Sequence, residues 1–422
     1  MVDVAIIGGG PSGMVAALAA TARGVSVCLL EKSARVGRKL LATGNGRCNL
    51  SNVDLSFHHY HGSAAETLLP AVFKTYGQEE VAAFWENLGI ELIPGEEGKL
   101  YPRSLQASSV LNALRHRMEE QGVQVRTDAK VTEIRQEKEG GYRLRIQHTE
   151  GGADSLKAKA IILCTGGKAY PRLGSAGEGY ALAKSLGLTV TQLRPALCRL
   201  LNDHPRIHEL AGIKVEADLQ LSRQGKMVAE KAGEVLFTDK GISGPPVLQL
   251  SRDAGEGLIR KEQVTVTIDF APEWQAGALF AHLTERMQRL SSWTAEEALE
   301  SWLGKRVGAV LLKEIGVSLS AAAGTLNKRQ IGDLARMIKG WELTIAQLDG
   351  YEEAQVTIGG LAAKEFDENL MCKRYPGLFA AGEVLDLDGD CGGYNLQWAT
   401  GSGLLCGEKA AAYCISRKGA EA

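Results

Sequence analysis

The chain opens on a short apolar run, Val4-Ala5-Ile6-Ile7, closed by glycine. A run of that length, rich in β-branched residues and apolar on both faces, predicts a buried parallel strand. The alanine-rich stretch from Met14 to Arg23 predicts a helix that Gly24 ends, and Val25 to Leu30 predicts a second strand closed by Glu31. The strand-then-glycine form returns at Ala160-Ile161-Ile162-Leu163, followed by Cys164-Thr165-Gly166-Gly167, and again at Gly377-Leu378-Phe379-Ala380-Ala381-Gly382-Glu383. Residues 64–88 and 106–121 read as helical, and residues 123–146 as strands. Beyond residue 189 the character changes. Residues 213–221 and 263–270 alternate apolar and polar positions, the mark of half-buried antiparallel strands. Residues 272–340 are helical: Leu279, Phe280, Leu283, Met287 and Leu290 share one face, as do Ile331, Leu334 and Ile338, and both stripes read as core. Strand character resumes over residues 341–345.

With 422 residues the chain is too long for one compact core. The pattern predicts an α/β protein in three parts. A Rossmann-type domain spans 1–190 and 355–422, a β-rich domain spans 191–271 and 341–354, and a small helical domain spans 272–340.

Between the first strand and first helix lies Gly8-Gly9-Gly10-Pro11-Ser12-Gly13, a G-x-G-x-x-G at Gly8, Gly10 and Gly13. Gly8 permits a tight turn, Gly10 lets backbone approach a pyrophosphate, and Gly13 lets helix and strand pack closely. The helix N-terminus offers free N–H groups to phosphates. Glu31 stands where a carboxylate accepts hydrogen bonds from a ribose, and an acid there disfavours a 2′-phosphate. Strand, glycines, helix, strand and acid in this order form a dinucleotide fingerprint far more specific than the glycines alone.

Composition changes the picture little. Glycine is abundant, 50 residues, and several cluster as expected where backbone meets a ligand. Lys+Arg (48) and Asp+Glu (50) balance, which gives no argument for or against a nucleic-acid partner. The eight cysteines are scattered with no C-x-x-C pair, which disfavours a metal site or a disulfide framework and suits a reduced cytoplasmic setting. The N-terminus lacks a basic flank and a cleavage site, and no run of 18 apolar residues occurs. Neither a signal peptide nor a membrane helix is expected.

The two later strand-glycine segments resemble FAD enzymes of the glutathione-reductase-like type, in which a late Gly-acid pair meets the ribityl and phosphate portion of FAD; Gly382 and Glu383 take that place. The terminal helix follows Gly392-Gly393-Tyr394-Asn395-Leu396-Gln397. Its N-terminus, aimed at a flavin pyrimidine edge, would stabilise negative charge on a reduced flavin. The expected FAD contacts are Gly8, Gly10, Gly13, Glu31, Lys32, Arg38, Lys39, Thr43, Gly44, Asn45, Val131, Thr165, Gly166, Gly382, Glu383, Gly393, Tyr394, Asn395 and Leu396.

Residues 38–49, with residues 392–397 and 237–245, also resemble one bacterial flavoprotein family. It includes a reductase of dehydrogenated bile-acid intermediates, ribosomal-RNA dihydrouridine synthases and aminoacetone-oxidase-like enzymes. The likeness covers essentially the whole chain, and residues 43–49 and 392–397 are its specific parts. It implies a flavin domain interrupted by a β-rich substrate domain and a helical one, with no separate NAD(P)H domain. It implies reduction of a polarised C=C bond with NAD(P)H as transient donor and either a uridine of ribosomal RNA or a steroid-like enone as substrate. The alternative is an amine oxidase passing electrons to oxygen. A flavoprotein that binds a partner without turnover is a third class.

Reduction of a C=C bond needs a side chain that protonates carbon. Cys48 is one candidate; its other reading is a small buried hydrophobe. Tyr394 is a further candidate, and so is Tyr170, which reads at least as well as a packed tyrosine. Arg47 is placed to bind a substrate carbonyl or the flavin edge, or else to pair with Glu383 or Asp388. Lys168, Pro171, Ser175 and Gly177 lie on a loop expected at the substrate entrance. The pairs Lys305-Arg306, Lys328-Arg329 and Lys373-Arg374 read as RNA-phosphate contacts or as solvated helix faces.

Overall fold

The structure is a computed structural model that describes residues 1–421, with side chains through residue 417. It divides into two compact units, Met1–Pro195 with Gln355–Ala422, and Ala196–Ala354.

The first unit is built on a parallel sheet. Its strands run in the spatial order Gln124–Arg126, Val27–Leu30, Val2–Ile7, Ala153–Leu163, with Leu378–Ala380 pairing beside Ala153–Leu163. Val4 sits opposite both Val27 and Ala160, and Ile161 opposite Leu378. Strands buried on both faces must be apolar throughout, which is why these segments carry continuous Val, Ile, Leu and Ala. The strand Ala153–Leu163 is long enough to serve twice. Its end joins the parallel sheet, while its start pairs antiparallel with Tyr142–His148, which in turn pairs with Ala129–Gln136. The predicted helix over 64–88 is three shorter ones, Ser63–Thr67, Leu69–Thr75 and Gln78–Asn87, because Pro70 and Gly77 begin new turns.

One close contact shapes this unit. The first helix, Pro11–Thr21, lies against the terminal helix, Tyr394–Glu421. A Cβ on Gly403 would lie 2.7 Å from the Ser12 carbonyl oxygen, and one on Gly407 only 2.3 Å from that of Ala16. Two helix backbones approach this closely only where side chains are missing.

The second unit is a closed barrel with the strand order Leu200–Asn202, Gly241–Ser243, Lys226–Thr238, Lys214–Arg223, Val264–Asp269, Trp341–Leu348. The alternation seen in the sequence is its inside and outside: Ala217, Leu219 and Leu221 are buried, as are Val264, Val266 and Ile268, and Trp341, Leu343 and Ile345. Four helices, Ala276–Arg289, Ala295–Leu303, Lys305–Glu314 and Lys328–Lys339, share its hydrophobic core. Leu279, Leu283, Met287, Ile331, Leu334 and Ile338 are buried, whereas Phe280 and Leu290 are only partly so. Thr294 with Glu297, and Asn327 with Gln330, form capping boxes that start two of these helices. The helix Pro245–Ile259 was not visible as a pattern in the sequence. Among the described residues, no helix is long and apolar enough to cross a membrane.

The helix contact yields a test. Gly407→Leu must push the Ala16 backbone away and should destabilise the first unit by about 1–3 kcal/mol or more. Thermal melts followed by helical circular dichroism should show a clear fall in midpoint, and an unchanged midpoint would refute the packing argument.

Candidate functional site

The glycine turn has the geometry its spacing predicts. Gly8 has φ +110°, and a Cβ there would lie 2.3 Å from the Cys164 carbonyl oxygen. At Gly13 a Cβ would meet the Gly8 carbonyl oxygen at 2.0 Å, so the helix closes directly on the turn. Gly10 differs: nothing lies within 4 Å of its would-be Cβ. The turn therefore presents open space in front of a helix N-terminus, where Pro11 is pre-set for the first helical position. Glu31 ties the two strand ends together. Its Oε2 accepts from the Gly9 N–H at 2.8 Å and its Oε1 from the Ser33 N–H at 2.8 Å.

Beside this turn is an open cleft of about 410 Å³ lined by Gly8, Glu31, Lys32, Val131, Thr165 and Glu178, among others. Lys32 pairs with Glu178 across it. Val131 stands at a break in strand register, and the Thr165 Oγ1 is buried with no hydrogen-bond partner. A carboxylate with spare lone pairs, an orphaned hydroxyl and an unfilled glycine turn fit the adenosine and pyrophosphate of FAD.

The late glycine-acid pair lies on the same unit. Gly382 has φ +76°, and a Cβ there would be 2.6 Å from the Ser12 Oγ. Lys39 donates to the Glu383 Oε2 at 2.7 Å. The other carboxylate oxygen accepts from the Thr357 N–H at 2.9 Å. Thr357 is fully buried, and its Oγ1 accepts from the N–H groups of Lys168 (2.7 Å) and Ala169 (3.0 Å). It thus fastens the loop after Gly166 to Glu383. Nothing in the sequence around Thr357 announces this role.

Residues 43–49 and 392–397 come together. Gly44, Asn45, Gly46 and Cys48 all have left-handed backbone (φ +56°, +54°, +83°, +60°), which folds the loop tightly back on itself. The Thr43 hydroxyl donates to the Leu40 carbonyl at 2.7 Å. The chain just beyond reaches the terminal helix: the Ser51 hydroxyl donates to the Gln397 Oε1 at 2.8 Å, and the Asn52 amide to the Gly392 carbonyl at 3.0 Å. Gly393 is held so near that a Cβ would lie 2.2 Å from the Ser51 carbonyl oxygen. The Asn395 side chain bonds both backbone groups of Gly389, fixing the start of the helix. Leu396 is buried. The Asn49 Oδ1 is a second buried acceptor without a partner, consistent with a ligand that donates there.

The candidate proton donors differ in setting. Cys48 has no exposed surface, and burial pushes its thiol up to about 11. Tyr394 is buried, stacked on His59 at 4.3 Å and edge-on to Tyr60 at 5.6 Å; burial, then the nearby Asp54 and Asp390, push its phenol up to about 12. Tyr170 is half-buried, with φ +57° and the Arg172 guanidinium over its ring. Arg47 is exposed and lies over the Tyr101 ring at 5.2 Å, while Lys39 is the partner of Glu383. Arg38 is exposed and donates to the Arg172 carbonyl at 2.8 Å. Sequence reasoning also passed over the run His58-His59-Tyr60-His61, in which the imidazoles of His59 and His61 meet Asp390. Its signal was the run of histidines itself; His59 ends a 3-10 turn and His61 lies on the short strand that follows.

Comparison with known proteins bears on this geometry. The chain is 37% identical over 412 residues to the 3-dehydro-bile acid delta(4,6)-reductase of Clostridium scindens, covering 97% of this chain and 98% of that one. It is 28% identical over 410 residues to the ribosomal RNA dihydrouridine synthase of Escherichia coli K12, covering 96% and 97%. The open conformation of a flavocytochrome c3 fumarate reductase has a similar fold, with TM-score 0.51, 16% identity, and coverage of 98% of this chain and 78% of that one. The family model described as HI0933-like protein Rossmann domain matches residues 2–409. The chain belongs to this HI0933-like Rossmann family and is an FAD-dependent oxidoreductase.

Proposed function

We propose that this protein reduces a C=C bond conjugated to a ketone in a steroid-like molecule, with NADH or NADPH as electron source. The observation that carries the reading is the full-length 37% identity to a bile-acid delta(4,6)-reductase, against 28% and 26% to ribosomal RNA dihydrouridine synthases. Four of the six cations in the basic pairs support it by having partners within the chain. Arg306 donates to the Ala211 carbonyl, Arg329 pairs with Asp333, Lys373 donates to the Lys364 carbonyl, and Arg374 pairs with Glu365. Guanidinium and ammonium groups spent on protein partners contribute little to counterion release from RNA.

Bound FAD supplies the electron pair for the reduction. Gly8, Gly10 and Gly13 would hold its pyrophosphate, Glu31 and Thr165 its adenosine, and Lys39, Glu383 and residues 392–396 its flavin end. The chain must then deliver one proton to the substrate carbon. Of the three candidates, Tyr170 suits this best. It is accessible, and its strained left-handed backbone is of the kind retained at functional sites. Cys48 serves as packing beneath the 43–49 loop, and Tyr394 as the anchor of the helix start.

The decisive experiment incubates purified protein with a 3-oxo-4-ene steroid and NADH or NADPH. Saturated product should appear, and dihydrouridine in ribosomal RNA should be unchanged on deletion of the gene. Loss of dihydrouridine with no steroid turnover would reverse the reading. Gly10→Val should yield colourless protein, because its side chain occupies the pyrophosphate space; a yellow, fully loaded variant contradicts the FAD assignment. Tyr170→Phe should retain FAD and its reduction by NAD(P)H, but slow reoxidation by the enone about 10²–10⁴-fold. If Cys48→Ala or Tyr394→Phe shows that selective loss instead, the proton comes from there.

A further inference from the structure

A buried acceptor with nothing to accept from lies at the start of the terminal helix. Asn49 has 9% of its surface exposed, and its Oδ1 is enclosed without a hydrogen-bond partner. Buried side-chain oxygens nearly always have a donor, so this exception calls for one from outside the chain. The oxygen lies against the helix start: a Cβ on Gly393 would be 2.8 Å from it. Gln397 makes the first backbone bond there, donating to the Gly393 carbonyl at 3.0 Å. The N–H groups of Tyr394, Asn395 and Leu396 precede that bond and have no carbonyl of the helix to reach. The positive end of the helix dipole favours the Asn49 amide with its oxygen, rather than its NH₂, toward Gly393.

The residue is fixed from both sides. Cys48 before it has left-handed backbone, φ +60°, and its N–H donates to the Thr43 carbonyl at 3.1 Å. Leu50 after it donates to the Leu100 carbonyl at 2.8 Å. Gly44 packs so closely that a Cβ there would lie 2.9 Å from the Asn49 backbone nitrogen. The Ser51–Gln397 bond then fastens the same segment to the terminal helix. An acceptor held this way is preorganised for an incoming donor.

One acceptor beside several backbone donors is the complement of an imide edge: carbonyl, N–H, carbonyl. The pyrimidine ring of an isoalloxazine carries that edge at C2=O, N3–H and C4=O. A site made of donors alone would leave the N3–H buried and unsatisfied, which is costly. We propose that Asn49 orients the flavin: its Oδ1 accepts the N3–H, while the N–H groups at the helix start serve a neighbouring carbonyl. The proposal rests on the FAD assignment and is independent of the substrate. Hydrogen bonds to the ring nitrogens seat a flavin and tune its electronics. Asn49 is thus a positioning residue that stops the ring from turning in its own plane. Uracil carries the same edge, so the test presents the flavin with no RNA.

Full-length protein freed of flavin is titrated with FAD or with 3-methyl-FAD, in which a methyl group replaces the N3 hydrogen, and binding is followed by flavin fluorescence. Wild type should bind 3-methyl-FAD at least about tenfold more weakly than FAD. Asn49→Ala should bind FAD more weakly and narrow that ratio to about threefold or less. Asn49→Asp keeps an acceptor, so the ratio should persist. Because the ratio compares two ligands on one protein, a general loosening of the loop does not by itself erase it. In nuclear magnetic resonance of FAD labelled with ¹⁵N at N3, the N3 proton should exchange slowly with water in wild type and quickly in Asn49→Ala. Equal binding of the two flavins by wild type, or an undiminished ratio in Asn49→Ala, would overturn the proposal while leaving the FAD assignment standing. Uptake of neither flavin by wild type would refute that assignment and the proposal with it.

Discussion

The flavin-binding unit depends on backbone lying against backbone without intervening side chains. Gly13 lets the first helix close on the Gly8 carbonyl, Gly403 and Gly407 let the terminal helix lie on the first, and Gly393 lets that helix begin against Ser51. Each contact leaves less than 3 Å for a Cβ. Together they bring residues separated by most of the chain length into one site. The glycine turn belongs to the first fifteen residues, while Gly382, Glu383 and Gly393 come from the last fifth of the chain. Were these helices held apart by ordinary side chains, the two halves of the site would drift by ångströms, and a positioned cofactor tolerates little of that.

Electrostatics then stabilises what the glycines allow. Glu31 spans the first turn by accepting from Gly9 and Ser33, and Glu383 joins Lys39 to Thr357. Both carboxylates work through hydrogen bonds to fixed backbone, so each orients a loop as well as carrying charge. Asp390 does the same for the histidine pair beside the terminal helix. The chain's near-zero net charge hides this local order, since −2 overall is compatible with anions placed at each joint.

The cofactor turn was legible in the sequence because its determinants are local. A strand, three spaced glycines, a helix and a closing acid specify one turn whatever surrounds them. The barrel strands were legible for a similar reason: alternation of Ala217, Leu219 and Leu221 with polar neighbours reports a one-sided core directly. The late segment at Gly382 and Glu383 was legible as a repeat of the first pattern.

What tertiary structure decided were the matters of burial and long-range pairing. Cys48 looked like a candidate acid from its loop; only packing shows it fully enclosed. Arg47 and Lys39 are both cations near one motif, and distance alone assigns Lys39 to Glu383. Thr357 is one threonine among many until the fold sets its hydroxyl under Lys168 and Ala169. The meeting of His59 with Asp390 crosses 331 positions of sequence. Hydrophobic periodicity and glycine spacing are properties of a chain segment, so the sequence determined the dinucleotide-type turn and the kind of fold, and the resemblance of its later segments to FAD enzymes implied the cofactor. Which polar groups face one another depends on how segments pack, and that is settled only when the backbone has closed.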